Sequence, residues 1–196
     1  VILKNLFLIE LLYVILVKSP PTPLRNTNRA KLTEGAYIPS TRRNQWVYAL
    51  VYKTKIMQNI IKLALRLSIA LGFLSAVADR LGLWDEEISN WGTWESFLDY
   101  TAFINPWFPE SMIPAIGFVA TVLEVVFAVF LLIGFKTSLF AKLSGYLLLI
   151  FALSMTFSSG IKGVFDYSVL TAAAACFALS EMKTKYLEVD SLIQRG

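Results

Sequence analysis

The 196-residue chain is 56% hydrophobic and only 16% charged, with a mean hydropathy of +0.60 and a net charge of +4. That balance argues against an ordinary soluble domain, and basic residues placed beside apolar stretches rather than on one polar face argue against a nucleic-acid partner. With no histidine and one cysteine, Cys176, a single copy cannot build an intramolecular disulfide, a zinc site of the usual Cys/His kind, bis-histidine haem, a Cys-ligated iron–sulfur cluster or a histidine-dependent nucleophile.

Residues 1–17 are apolar but carry Lys4 and Glu10. The stretch is short for a spanning helix and reads either as a membrane-lying segment or as a marginal extra span. Lys18-Ser19-Pro20-Pro21 follow it, so the small-residue cleavage site of a signal peptide is missing. Residues 18–56 are polar and basic: Arg25, Arg29, Lys31, Arg42, Arg43, Lys53 and Lys55 stand against one acid, Glu34, and Pro20, Pro21, Pro23 and Pro39 interrupt them. This predicts a disordered cytoplasmic tail. A competing reading starts from Met57, the first methionine, after which the apolar pattern becomes coherent. On that reading residues 1–56 are an extension from a start site placed too early.

The first firm helix is predicted over 60–78, ending at Asp79-Arg80. Lys62 is near enough to its start to snorkel, Arg66 lies about 9 Å inside by helical rise, and Gly72, Ser75 and Ala76 favour close helix packing. Residues 79–112 hold seven acids against one base, Arg80, together with Trp84, Trp91, Trp94 and Trp107. Trp94, Phe97, Leu98 and Thr101 fall at helical spacing and predict a short interfacial helix ended by Asn105-Pro106. It reads as an aromatic anchor or as a lid over a lipid-soluble ligand.

Residues 113–135 are almost wholly apolar and long enough to cross a ~30 Å hydrocarbon core, yet Glu124 sits near their middle. A carboxylate at that depth costs several kcal/mol unless it is paired, protonated or wet. Gly134-Phe135-Lys136-Thr137-Ser138 predicts a tight turn into a third span over 139–157. A loop over 158–163 leads to a fourth span over 164–179, with Asp166 near its start and a smooth face at Ala172–Cys176; a mixed-charge tail, 181–196, follows. The expected architecture is therefore all-α: a four-helix transmembrane bundle over 57–180, with an outward-facing interfacial helix between spans one and two. Lys53, Lys55, Lys62, Lys136, Lys142, Lys183 and Lys185 fall on one side and only Arg80 and Lys162 on the other. By the positive-inside rule both ends of the four-span core are cytoplasmic.

Intramembrane charges are functional candidates by default. From the span limits, Arg66 and Glu124 are offset by about 7 Å along the membrane normal, which predicts an Arg66–Glu124 ion pair as a buried polar centre. At the outer end Asp79 and Asp166 lie near Arg80 and Lys162. Such pairs either set helix register or make Glu124 a proton- or ligand-binding group. Ser68, Thr121, Tyr146, Ser154 and Thr156 could bond a quinone carbonyl or the backbone of their own helices. The residues indicate no catalytic group.

From Lys62 to Leu179 the chain resembles the DoxX-like membrane protein family. The resemblance rests on Leu65-Arg66-Leu67 with Gly72-Phe73, on Leu123-Glu124, on the Leu-Leu-Ile-Gly-Phe-Lys-Thr run 131–137 and on Phe165-Asp166-Tyr167-Ser168. It departs at Asp79-Arg80, where the family often has small residues and then a lysine. The resemblance implies a small four-helix protein of the plasma (inner) membrane, an accessory subunit of a quinone-linked redox complex. A diffusible quinone and a partner oxidoreductase subunit would then supply the chemistry, with no cofactor or metal in the chain. The alternative is a non-enzymatic structural, chaperone-like or small transport protein. Cys176, on a small-residue face, reads as a packed hydrophobe rather than a sulfur-handling group.

Overall fold

The computed structural model describes the backbone of residues 40–193 and the side chains of 48–191; the apolar stretch 1–17 and most of the basic segment lie outside the described residues. The chain divides into two units, Val1–Arg43 and Asn44–Gly196, and apart from the first four residues of the first helix the second carries every feature below. Among the described residues the chain is all-helical, without strands. Its elements are α1 (Ser40–Arg80), α2 (Trp94–Ile104), a 3-10 turn (Glu110–Met112), α3 (Ile113–Ile133), α4 (Thr137–Ser159), α5 (Ile161–Asp166), α6 (Val169–Glu181) and α7 (Asp190–Ile193). Three stretches, Tyr48–Arg80, Glu110–Ile133 and Thr137–Ser159, are long and apolar enough to cross a membrane. The chain is a helical membrane protein.

Two boundaries differ from the sequence expectation. Residues 40–56, read as disordered from their charge, are helical, because no proline or glycine stands between Ser40 and Gly72 to stop the helix. The stretch expected as one span over 164–179 is broken at Ser168, whose φ of 56° separates α5 from α6. α6 alone is about 20 Å long, shorter than a hydrocarbon core.

The connection from α3 to α4 is tight for a stated reason. Gly134 adopts φ 70°, and the amides of Gly134 and Phe135 return to the carbonyls of Leu131 and Phe130. This closes the helix with the left-handed glycine that such a cap needs. A Cβ on Gly134 would also lie 2.7 Å from the Glu188 Cα. We call this side of the molecule the turn end, and the opposite side, where residues 81–112 lie, the loop end. α6 runs back along α4 with Phe177 seated over Gly145, and Ser138 Oγ at the turn end donates to the Ser180 carbonyl at 2.7 Å.

One core cluster joins Ala70 and Phe73 of α1, Phe127, Ala128 and Leu131 of α3, Ala141 and Leu147 of α4, and Leu179 of α6. A smaller one at the loop end joins Ile104 to Ala152, Met155 and Val164. Cys176 is buried in α6 and packs as a small hydrophobe. α1 approaches its neighbours without the close backbone contact seen between α4 and α6. Long side chains bridge the gap instead, and these build the polar sites.

Candidate functional site

Lys62, Arg66, Ala70, Phe73, Val77 and Arg80 recur at helical spacing on α1 and are all buried, so three cations share the face that α1 turns to the protein. Near the loop end Arg80 meets Glu124. Nη2 donates to Oε1 at 3.0 Å, and Nη1 lies 2.6 Å from Oε2, within ion-pair distance although that oxygen accepts no hydrogen bond. Arg80 is 4% exposed and Glu124 2%. Arg80 Nη1 also donates to Thr121 Oγ1 at 2.8 Å, and that hydroxyl donates to the Gly117 carbonyl at 2.9 Å. The Arg80 guanidinium carbon stands 4.1 Å from the centre of the Phe97 ring and 5.3 Å from that of Trp91. Ring faces attract a cation once water is removed. Arg80 Nε has no hydrogen-bond partner among the described residues.

The elements that enclose the pair follow from local sequence. Thr93 caps α2 by accepting the Ser96 amide at 3.2 Å. This sets α2 across α3, where Leu98 and Phe97 fill the space over Gly117; a Cβ there would meet Leu98 at 2.8 Å. Asp79 accepts from the Ser89 hydroxyl and from the amides of Asn90 (3.0 Å) and Trp91 (3.4 Å). One carboxylate thus ties the loop to the end of α1 and holds Trp91 beside Arg80. Trp91 in turn packs edge-on against Phe97, with 5.5 Å between ring centres, and lies 5.9 Å from Tyr100. Burial, and secondarily Tyr167, pushes the Tyr100 phenol above its ordinary range.

The expected Arg66–Glu124 pair does not form. Both residues are buried, but they belong to different centres. Arg66 lies at the turn end, donating through Nε to the Leu131 carbonyl and through Nη2 to that of Leu132, both at 2.9 Å. Its Nη1 donates to the carbonyls of Tyr186 (3.1 Å) and Leu187 (3.0 Å), and it stands 3.8 Å from Glu188. The reason is register. Aligning the ends of the apolar runs puts Arg66 and Glu124 near one depth, but α1 begins earlier and ends beside the middle of α3. α3 continues about 16 Å beyond Glu124 toward the loop end. Arg80, about 21 Å further along the same face of α1 than Arg66, is therefore the residue that reaches Glu124.

The expected outer-end group is also divided. Asp79 and Arg80 turn inward as described. Lys162 and Asp166 pair with each other one turn apart on α5, exposed, where an ion pair contributes little. Of the hydroxyls singled out in the sequence, Thr121 joins the site. Thr156 bonds the Ala152 carbonyl of its own helix, and Ser154 donates to Asn105 Oδ1 at 3.1 Å. Sequence reasoning missed Phe97 and Trp91 as the walls of the cation and Glu188 as an ion-pair partner. The signal for Glu188 was available: two cations one turn apart in an apolar helix, Lys62 and Arg66, require a carboxylate from somewhere.

Two open-sided grooves cut the surface. One, of about 480 Å³, is lined by Leu81, Trp94, Phe118, Thr121, Val122 and Val125 among others. It is apolar, and Thr121 belongs both to its wall and to the Arg80 contact. The other, of about 600 Å³, is lined by Pro106, Trp107, Ile150, Leu153, Ser154 and Phe157. Among the described residues no group of three or more acidic or cysteine side chains is placed to hold a metal ion. Comparisons with protein-family models, with curated proteins and with solved structures find no match to this chain.

Proposed function

We propose that the chain binds a lipid-soluble, carbonyl-bearing molecule of the quinone class beside the Arg80–Glu124 pair, and serves as a DoxX-like accessory subunit of a quinone-linked redox complex. It would sit in the plasma membrane as a four-helix bundle, α6 with α5 completing the fourth crossing, with the turn end on the cytoplasmic side. The observation that carries this reading is Thr121. Its hydroxyl touches Arg80, and its side chain lines an apolar groove open at the molecule's flank. A flat apolar ring entering from the bilayer would meet the Thr121 hydroxyl, which would donate to a carbonyl oxygen by turning its single proton away from the Gly117 carbonyl while still accepting from Arg80. Electron transfer itself would belong to the partner subunit and the quinone.

A second, non-enzymatic reading is favoured by the enclosure of the pair, since a sealed ion pair can serve only to fix helix register. Trp94 lines the groove and provides the test. In lipid nanodiscs a short-chain quinone should quench a saturable fraction of the tryptophan emission, and Val122→Phe, which fills the groove, should abolish that fraction without unfolding the protein. Quenching that rises linearly with quinone, unchanged by Val122→Phe, would leave the structural reading.

A further inference from the structure

The Arg80 site leaves two buried cations unused. Lys62 and Arg66, 4% and 1% exposed, lie one turn apart on α1 at the turn end. Arg66 divides its donors. Nε and Nη2 serve the last carbonyls of α3, which carry partial negative charge and, even with the Gly134 amide on Leu131, keep a lone pair free to accept. Nη1 serves the tail, through Tyr186 and Leu187. Lys62 is held by the tail alone among the described residues: Nζ donates to the Thr184 carbonyl at 2.5 Å and stands 2.7 Å from Glu188 Oε1. Glu188 is the one described acid in ion-pair contact with either cation, and Asp190 acts on Arg66 from further away, so two positive charges share one contacting carboxylate.

The segment that supplies this carboxylate is held to the rest of the molecule mainly by those two cations and by few backbone bonds. Residues 182–189 have no regular secondary structure, and Leu187 takes φ 49° and is 66% exposed. An L residue adopts that conformation only when surrounding contacts hold it there. Its backbone ties to the hairpin are the amides of Val189, to the Ile133 carbonyl at 3.2 Å, and Asp190, to the Gly134 carbonyl at 3.4 Å.

We propose that residues 182–189 are a releasable latch over a binding site for a phosphate-class oxyanion, formed by Lys62 and the Nη1 edge of Arg66, with the Glu188 carboxylate as its built-in substitute. When the latch lifts, the α3 carbonyls still aim Arg66, while Lys62 and Nη1 lose their partners together. A fixed guanidinium edge and a flexible ammonium one turn apart suit a tetrahedral oxyanion. A phosphate group also neutralises two cations better than one carboxylate does. A phospholipid headgroup and free phosphate both present this chemistry.

Hydrogen exchange at the Val189 and Asp190 amides reads latch closure directly. The full chain would be compared in nanodiscs of zwitterionic lipid, in the same discs with added inorganic phosphate, and in discs containing phosphatidylglycerol. We expect phosphatidylglycerol to speed exchange at these two amides about tenfold, with core amides unchanged, and Lys62→Gln to remove the effect. The same acceleration by inorganic phosphate would assign the site to a free oxyanion. Equal protection in all three conditions, or an acceleration that survives Lys62→Gln, would overturn the proposal. Glu188→Gln offers a second reading that does not depend on Lys62 variants folding. It should retain several-fold more phosphatidylglycerol, or inorganic phosphate, than the unaltered chain in native mass spectrometry, and no increase in either would equally overturn the proposal.

Discussion

At the scale of single residues, the chain places its costliest groups where each has a specific partner. Arg80 and Glu124 are both nearly sealed from solvent, so removing one strands the other. Glu124→Gln is expected to destabilise the protein by about 3–5 kcal/mol, measured by thermal unfolding in detergent, whereas Arg80→Met combined with Glu124→Leu should recover most of that loss. The same double variant separates the two functional readings: if the pair only fixes register, the folded double variant keeps any cellular phenotype, and if it positions a ligand, saturable quinone quenching disappears. Gly134 makes a different demand. It combines a positive φ with a neighbouring backbone atom where its Cβ would stand. Gly134→Ala should therefore cost about 1–3 kcal/mol by the same unfolding assay, and should loosen the Glu188 segment that packs against it.

Among the elements, α2 and the loop before it are the parts whose stability depends on one side chain. Asp79 holds Ser89, Asn90 and Trp91, and Trp91 with Phe97 walls off the guanidinium. Asp79→Ala should accelerate amide exchange at Asn90 and Trp91 about tenfold while α4 and α6 stay protected. Equal exchange before and after the change would mean that aromatic packing alone holds the loop. The α4–α6 pair depends on a small residue instead. Gly145 gives Phe177 its seat, with ring atoms 2.9–3.1 Å from where a Cβ would be. Gly145→Leu should separate these helices and destabilise the protein in the unfolding assay by an amount typical of overpacking, about 1–3 kcal/mol.

Across the whole molecule, charge is sorted by end. The turn end holds Lys62, Arg66 and Lys136, and the tail returns to it through Glu188; the loop end carries the acidic, tryptophan-rich connection. If the turn end is cytoplasmic, a cysteine placed at Glu86 should react with an impermeant maleimide from outside intact cells, and one placed at Lys183 only after lysis. Cys176 is buried and should stay silent in both assays. The reverse pattern would invert the proposed orientation.

Apolar runs of membrane length, the helix-ending Gly134, the short helix that opens at Trp94 and the presence of charges inside the apolar runs at Arg66 and Glu124 all follow from local composition and spacing, whereas Lys62, expected to snorkel outward, is buried. They could be read directly because the bilayer length, helical rise and backbone chemistry act on neighbouring residues. The pairing of those charges could not. A run of apolar residues states how long a helix can be but not how far it slides past its neighbour, and a shift of a few turns exchanges Arg66 for Arg80 as the partner of Glu124. Nor does the span between Arg66 and Glu188 appear in any local pattern, since it joins the first described helix to the tail. Register and long-range closure are set by packing, by the core cluster that joins Phe73 to Phe127 and Leu131, by Leu98 over Gly117, and by the tail over the α3–α4 turn. The sequence alone therefore determined a helical membrane protein with buried charges, and only the tertiary structure decided which charges meet.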